Sequence, residues 1–312
     1  MEFFRNQTTI HFMGMKKYTV GLALILCLTA LGLLIVKGLN FGLEFTGGTQ
    51  VELRFKQPTT TTYVHDTMQA AGLPASRVQL YGSTQDLLVR LSTSETDQNT
   101  GEGELRDKIS KVFNGPEQQV EIRRIEYVGS EVGKQLAEKG AIAVIVAILA
   151  TMLYIAMRFE YKFALSAALG LVHDALMVLG VFVLMQIEFD LAALAAVLAV
   201  VGYSLNDKIV VFDRVRENFR LMRQGTPEEI MDGALNQTLS RTIMTSFMTM
   251  LVVLALLFFG GESLFSFSLA LCIGIAVGTY SSIFVASAMA IMFGLSRTDL
   301  MPRAKTVVDD RP

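Results

Sequence analysis

Six apolar runs limit what this chain can fold into: residues 18–36, 141–157, 163–185, 191–212, 242–259 and 264–293. A membrane-spanning helix needs about 20 mainly apolar residues, with a range of about 17–25. Each run is long enough to cross a bilayer, and the last is long enough to tilt or to extend beyond it. In hydrocarbon every backbone polar group must be satisfied within the segment, so helices are the form open to such runs. Hydrophobic residues make up 52% of the 312, gathered into these runs. The first run follows Lys16 and Lys17, as a signal peptide or an anchor would. It is longer than a typical signal core, and no small-residue cleavage site comes before Lys37, so we read it as the first transmembrane helix.

Lysines and arginines set the orientation. With the N-terminus in the cytoplasm, Arg5, Lys16, Lys17, Arg158, Lys162, Arg214, Arg216, Arg220, Arg223, Arg241, Arg297, Arg303, Lys305 and Arg311 all lie inside. The two short outer loops, 186–190 and 260–263, hold no basic residue. Both termini are therefore expected in the cytoplasm, as segments 1–17 and 294–312, with spans two to six within 140–293. The polar stretch 37–139 is expected outside, as a folded domain between the first two spans. Residues 41–55 read as a strand bent at Gly47-Gly48, 63–71 as a helix closed by Gly72, and 78–81 and 87–91 as strands. Residues 92–103 read as a loop, 105–113 as a helix ended by Asn114-Gly115-Pro116, and 119–127 as a strand. The order β-α-β-β-α-β predicts a small α+β domain of ferredoxin-like type, a fold that by itself says nothing about chemistry.

A net charge of −2 gives no field suited to nucleic acid. Cys27 and Cys272 both lie in apolar runs, so no disulfide framework is expected. No nucleophile–base set and no metal-spaced Cys/His group is visible, so neither an enzyme nor a bound cofactor is expected.

Charges inside the spans are costly and therefore informative. Asp207 lies sixteen residues past Leu191, about 24 Å along a helix and so in the cytoplasmic half of the core. A carboxylate there costs roughly 2.5–3.5 kcal/mol on insertion scales and needs a partner or a wet cavity. Arg241 opens the next span and is the expected partner. A pair that can separate handles protons; one that cannot is a static brace. His173 and Asp174 sit in the middle of the third span as weaker relay candidates. As helix neighbours they point about 100° apart and are not expected to pair with each other. Lys208 is expected to snorkel to the inner interface. Asp213, Arg214, Arg216 and Glu217 read as a solvated or interfacial helix end with salt bridges. Thr242, Thr245, Ser246 and Thr249 recur at helical spacing and suit interhelical hydrogen bonds or a hydrated seam, while Gly274, Gly278, Ser281 and Ser282 suit close helix approach.

Four stretches in order, FGLEFTGGT at 41–49, VVGYSLNDKIVVFDRVREN at 200–218, NQTLSRTIMTS at 236–246 and GTYSSIFVA at 278–286, resemble the SecD/SecF family of protein-export membrane subunits, within the resistance-nodulation-division superfamily. With six spans and one external domain, the resemblance covers essentially the whole chain. It implies a bacterial inner-membrane protein whose external domain is periplasmic. It implies pairing with SecD, a sister six-span subunit, beside the SecYEG channel and in membrane lipid, with YajC and YidC as further candidate partners. The pair is implied to use the proton-motive force to pull emerging preproteins outward after the ATP-driven step. The family's aspartate in GYSxND maps onto Asp207 and its arginine in QTxxRT onto Arg241, both implicated in proton passage. The competing readings are a non-transducing scaffold for a SecD-like partner and a small-molecule transporter of the same superfamily. An external domain of about 100 residues leaves little room for a drug pocket of its own.

Overall fold

The computed structural model describes residues 8–73, 75–81, 83–91, 102–113, 119–222 and 224–296. Most of the loop expected at 92–103, the turn at 114–116 and the chain from 297 onward lie outside the described residues.

The first membrane-length helix, α1 (Lys16–Lys37), ends at Gly38. The chain then makes a single helical turn, α2 (Leu43–Thr46), before strand β1 (Gly48–Phe55) begins. The one strand expected over 41–55 is therefore two elements. Leu43 and Phe45 are both buried, and Gly47 and Gly48 have φ of 68° and 126°, so the chain turns out of the helix through a region that favours glycine. Then come α3 (Thr61–Ala70), β2 (Ala75–Tyr81), β3 (Ser83–Leu91), α4 (Glu102–Phe113) and β4 (Val120–Val128). The Thr60 hydroxyl accepts from Tyr63 N–H and caps α3. The strands form one antiparallel sheet in the order β2-β3-β1-β4.

Alternation along β1 explains the two faces of this sheet. Val51, Leu53 and Phe55 are buried against Val64, Met68, Ile109 and Phe113 from the two helices. Gln50, Glu52 and Arg54 face the other way, opposite Arg90, Leu88 and Asp86 of β3. This polar face meets one end of the bundle. Arg90 Nη2 donates to Glu188 Oε1 at 2.5 Å, Gln79 Nε2 donates to Glu188 Oε2 at 3.0 Å, and Arg90 Nη1 donates to the Phe41 carbonyl at 3.0 Å. Phe41 and Phe189 form a parallel bridge beside them.

The remaining helices are α5 (Ser130–Arg158), α6 (Tyr161–Met185), α7 (Leu191–Leu221), α8 (Pro227–Phe259) and α9 (Phe265–Tyr280). A wide turn with π geometry over Ser281–Ala286 joins α9 to α10 (Ser287–Met292). Among the described residues six helical stretches are long and apolar enough to cross a membrane. Helices α6, α7 and α9 are the most buried, while α1, α5 and α8 lie outside them. Leu24, Ile25, Leu28 and Ile35 on α1, and Ile145, Leu149 and Leu153 on α5, are exposed. Apolar side chains turned outward in this way suit lipid or another apolar surface.

Two apolar clusters fill the bundle. One, towards the end that meets the α+β domain, holds Phe45, Val178, Phe182, Phe189, Ala196 and Val197; the other holds Phe159, Phe163, Phe212, Phe219, Met231 and Leu235. The second contains the first part of α8, which opens with a capping box between Thr226 and Glu229 and Pro227 in its first turn. Asp213, Arg214, Arg216 and Glu217 form the exposed to half-buried helix end expected, and the residues between and after them turn inward. Arg214 and Glu217 pair at 2.7 Å on the outside, but Val215 and Asn218 are buried, with Asn218 Nδ2 donating to Gln237 Oε1 at 3.1 Å.

Candidate functional site

Between the two apolar clusters lies a set of buried polar side chains on α6, α7, α8 and the π turn. Close helix approach brings them together. A Cβ added to Gly274 would fall 2.0 Å from Val200 Cγ2, and one on Gly278 would fall 3.0 Å from Ser204 Cβ. The small-xxx-small pair thus brings α9 onto the face of α7 that carries Ser204, as its spacing suggested. On α6, a Cβ at Gly170 would fall 2.7 Å from Lys208 Cε and 3.3 Å from Ser281 Oγ. The missing side chain is the space the lysine stem occupies.

Asp174 and Lys208 are both 0% exposed and pair at 2.9 Å through Asp174 Oδ2. Lys208 therefore does not snorkel. Gly170 makes room for its stem inside the bundle, and its ammonium finds a carboxylate there. The Ser204 hydroxyl donates to the same Asp174 oxygen at 2.5 Å and accepts from Lys208 Nζ at 2.5 Å. Ser204 and Lys208 lie one helical turn apart on α7, which sets both on the face that meets Asp174. His173 Nδ1 lies 2.9 Å from Asp174 Oδ1. These neighbours do pair, against the expectation from their angular separation. His173 Nε2 is buried without a partner, and its ring centroid lies 6.5 Å from that of Tyr280.

Asp207 is 3% exposed, and its Oδ2 has no hydrogen-bond partner. Among the described residues no ion pair or hydrogen bond joins it to Arg241. Arg241 is exposed on α8, and its neighbour Thr242, 1% exposed with an unpartnered hydroxyl, turns inward instead. Successive helical residues point about 100° apart, so α8 can present only one of the two to α7. Thr245 bonds back to the Arg241 and Thr242 carbonyls. Among the described residues, Ser246 is the member of the expected threonine and serine seam that bonds across helices: its hydroxyl lies 2.7 Å from Thr279 Oγ1 and accepts from Tyr203 OH at 3.2 Å. The Ser281 hydroxyl donates to the Gly170 carbonyl at 3.5 Å.

Ser204 and Gly170 are the residues that sequence reasoning missed, and Lys208 is the one it placed at the interface instead. The available signal was the spacing of serine and lysine, four apart on α7.

Six membrane-length helices around a buried charged cluster, with an α+β domain inserted after the first, define a polytopic helical membrane protein with an ionisable interior. Two family profiles match: "Protein export membrane protein SecD/SecF, C-terminal" over residues 108–296 and "SecD/SecF GG Motif" over 32–59. The protein translocase subunit SecF of Pseudomonas aeruginosa is 46% identical over 97% of this chain and 98% of its own length. That of Vibrio alginolyticus is 45% identical over 96% and 94%. The crystal structure of SecDF, a translocon-associated membrane protein from Thermus thermophilus, superposes with a TM-score of 0.84 at 35% identity. That match covers 93% of this chain, which spans 39% of the length of the SecDF chain. The chain belongs to the SecD/SecF family of protein-export membrane proteins.

Proposed function

We propose that this chain is a subunit of an accessory complex of the Sec translocase, in which a SecD-like subunit supplies the other half of the membrane core. The names of its relatives support the accessory role, and the length of the SecDF chain beyond the matched 39% leaves room for the second half. In this reading the complex lies in the bacterial inner membrane beside SecYEG, with YajC and YidC as further neighbours. Both termini are cytoplasmic. The α+β domain, whose strand order supports the ferredoxin-like reading, is periplasmic. The proton-motive force drives late-stage translocation of preproteins.

The observation that carries the reading is Asp207, a buried carboxylate with an unpartnered oxygen. Its charge is uncompensated at that atom, and a proton removes it. Arg241, the other member of the expected pair, is exposed on α8. His173, with its open Nε2, is the second candidate in a relay; Asp174, the other residue weighed for that role, is already engaged at both oxygens. One charge crossing the membrane gains about 2.3 kcal/mol per 100 mV, enough to bias a two-state rearrangement. The lack of a direct Asp207–Arg241 bond among the described residues weighs against the static brace.

The test is Asp207→Asn, which keeps the shape and removes the titrating group. Export of a secretory precursor should lose its protonophore-sensitive part while the partner subunit still co-purifies. Loss of the complex instead returns Asp207 to a packing role.

A further inference from the structure

Asp174 accepts at both oxygens. His173 meets Oδ1, while Ser204 and Lys208 share Oδ2. Lys208 Nζ is held in turn by that carboxylate and by the Ser204 hydroxyl, and its stem fills the space over Gly170. Both ions are 0% exposed, so neither exchanges its partner for water without a helix moving. Asp207, one residue before Lys208 on the same helix, has an oxygen with no partner at all.

We propose that Asp174 and Lys208 form a closed counter-ion pair that fixes α6 against α7 and carries no protons. Lys208 is thus a positioning residue that leaves Asp207 as the buried carboxylate open to a proton. The inference rests on the reading of Asp207 above. A proton arriving at Asp174 would strand the ammonium of Lys208 where solvent is excluded, which a buried pair resists. A pair of this kind has a distinctive response to substitution. Removing one member leaves an uncompensated buried charge and is strongly destabilising; replacing both together is tolerated. A proton carrier behaves otherwise, since no change at its partner restores a lost titrating group.

The experiment uses the complete membrane complex in cells, with Lys208→Met, Asp174→Asn, the double variant Lys208→Met/Asp174→Asn and the exchanged pair Asp174→Lys/Lys208→Asp. Recovery of the intact complex and protonophore-sensitive precursor export are read for each. Each single variant should lower both by roughly tenfold or more, and at least one double variant should return both to within about threefold of the unaltered chain. Asp207→Asn added to that double should still abolish protonophore-sensitive export. Three results overturn the proposal: single variants without effect, double variants that both fail to recover the complex, or a recovered complex whose export no longer responds to protonophore. The last would place Asp174 in the proton path. Full protonophore-sensitive export by Asp207→Asn alone overturns the reading of Asp207, while recovery of complex by the double variants still reports on the pair by itself.

Discussion

Gly274 meets Val200 so closely that an added methyl group would lie 2.0 Å from Val200 Cγ2. Gly274→Ala should therefore cost about 1–3 kcal/mol, the usual range for overpacking. Val200→Ala in the same chain should recover most of it, because the two changes share one contact. Thermal unfolding of the detergent-solubilised chain measures both. The same scale shows what a sequence can disclose. Asp207 stands out because an acid in an apolar run has few inexpensive places to go. Lys208 does not, since a lysine near the end of a run has an inexpensive exit to the interface, and only the room over Gly170 keeps it inside. Arg241 was legible as a charge near the membrane, but not its exposure without a bond to Asp207 among the described residues, which depends on how α8 packs over its whole length.

At the scale of elements, long apolar helices are legible because bilayer thickness fixes their length. Short ones are not. The alternation Phe41, Leu43, Phe45 fits a strand, yet α2 is a helical turn whose end seats on α5: a Cβ at Gly47 would lie 2.6 Å from Ser130 Cα, and one at Gly133 would lie 2.9 Å from Gly47 N. That contact spans more than eighty residues of chain. Within the sheet, Arg54 Nε and Nη2 donate to the two oxygens of Asp86 at 2.7 and 2.8 Å across β1 and β3, and Ser83 Oγ donates at 2.8 Å. These donors, Arg54 foremost, hold the Asp86 carboxyl below the usual aspartate range against the opposing effect of burial. A depressed folded value means that the contribution to stability is full above the ordinary aspartate value of about 3.9 and is lost as pH falls through the folded value. Hydrogen-exchange protection of β1 and β3 amides should therefore decline below about pH 4. Asp86→Asn should lower protection at neutral pH and flatten that decline.

In the whole molecule, one fastening of the α+β domain to the bundle is Glu188, which meets Arg90 and Gln79. Glu188→Gln removes the charge facing Arg90 and should weaken the contact by about 1.5–3 kcal/mol, the range for hydrogen bonds to charged groups. Distances between spin labels on β3 and on the loop between α8 and α9 should broaden while the helices stay folded. Glu188 also sits on the short link between α6 and α7, and those helices are joined again at Asp174 and Lys208. The ion pair lies eleven residues, or about 16 Å, along α6 from its end at Met185. Two rods tied at two separated points cannot scissor; they can only tilt or twist as one strut. On the proposed role of Asp207, movement driven from it would be taken up along the flanks of that strut, and the domain clasped to its tip would travel with it.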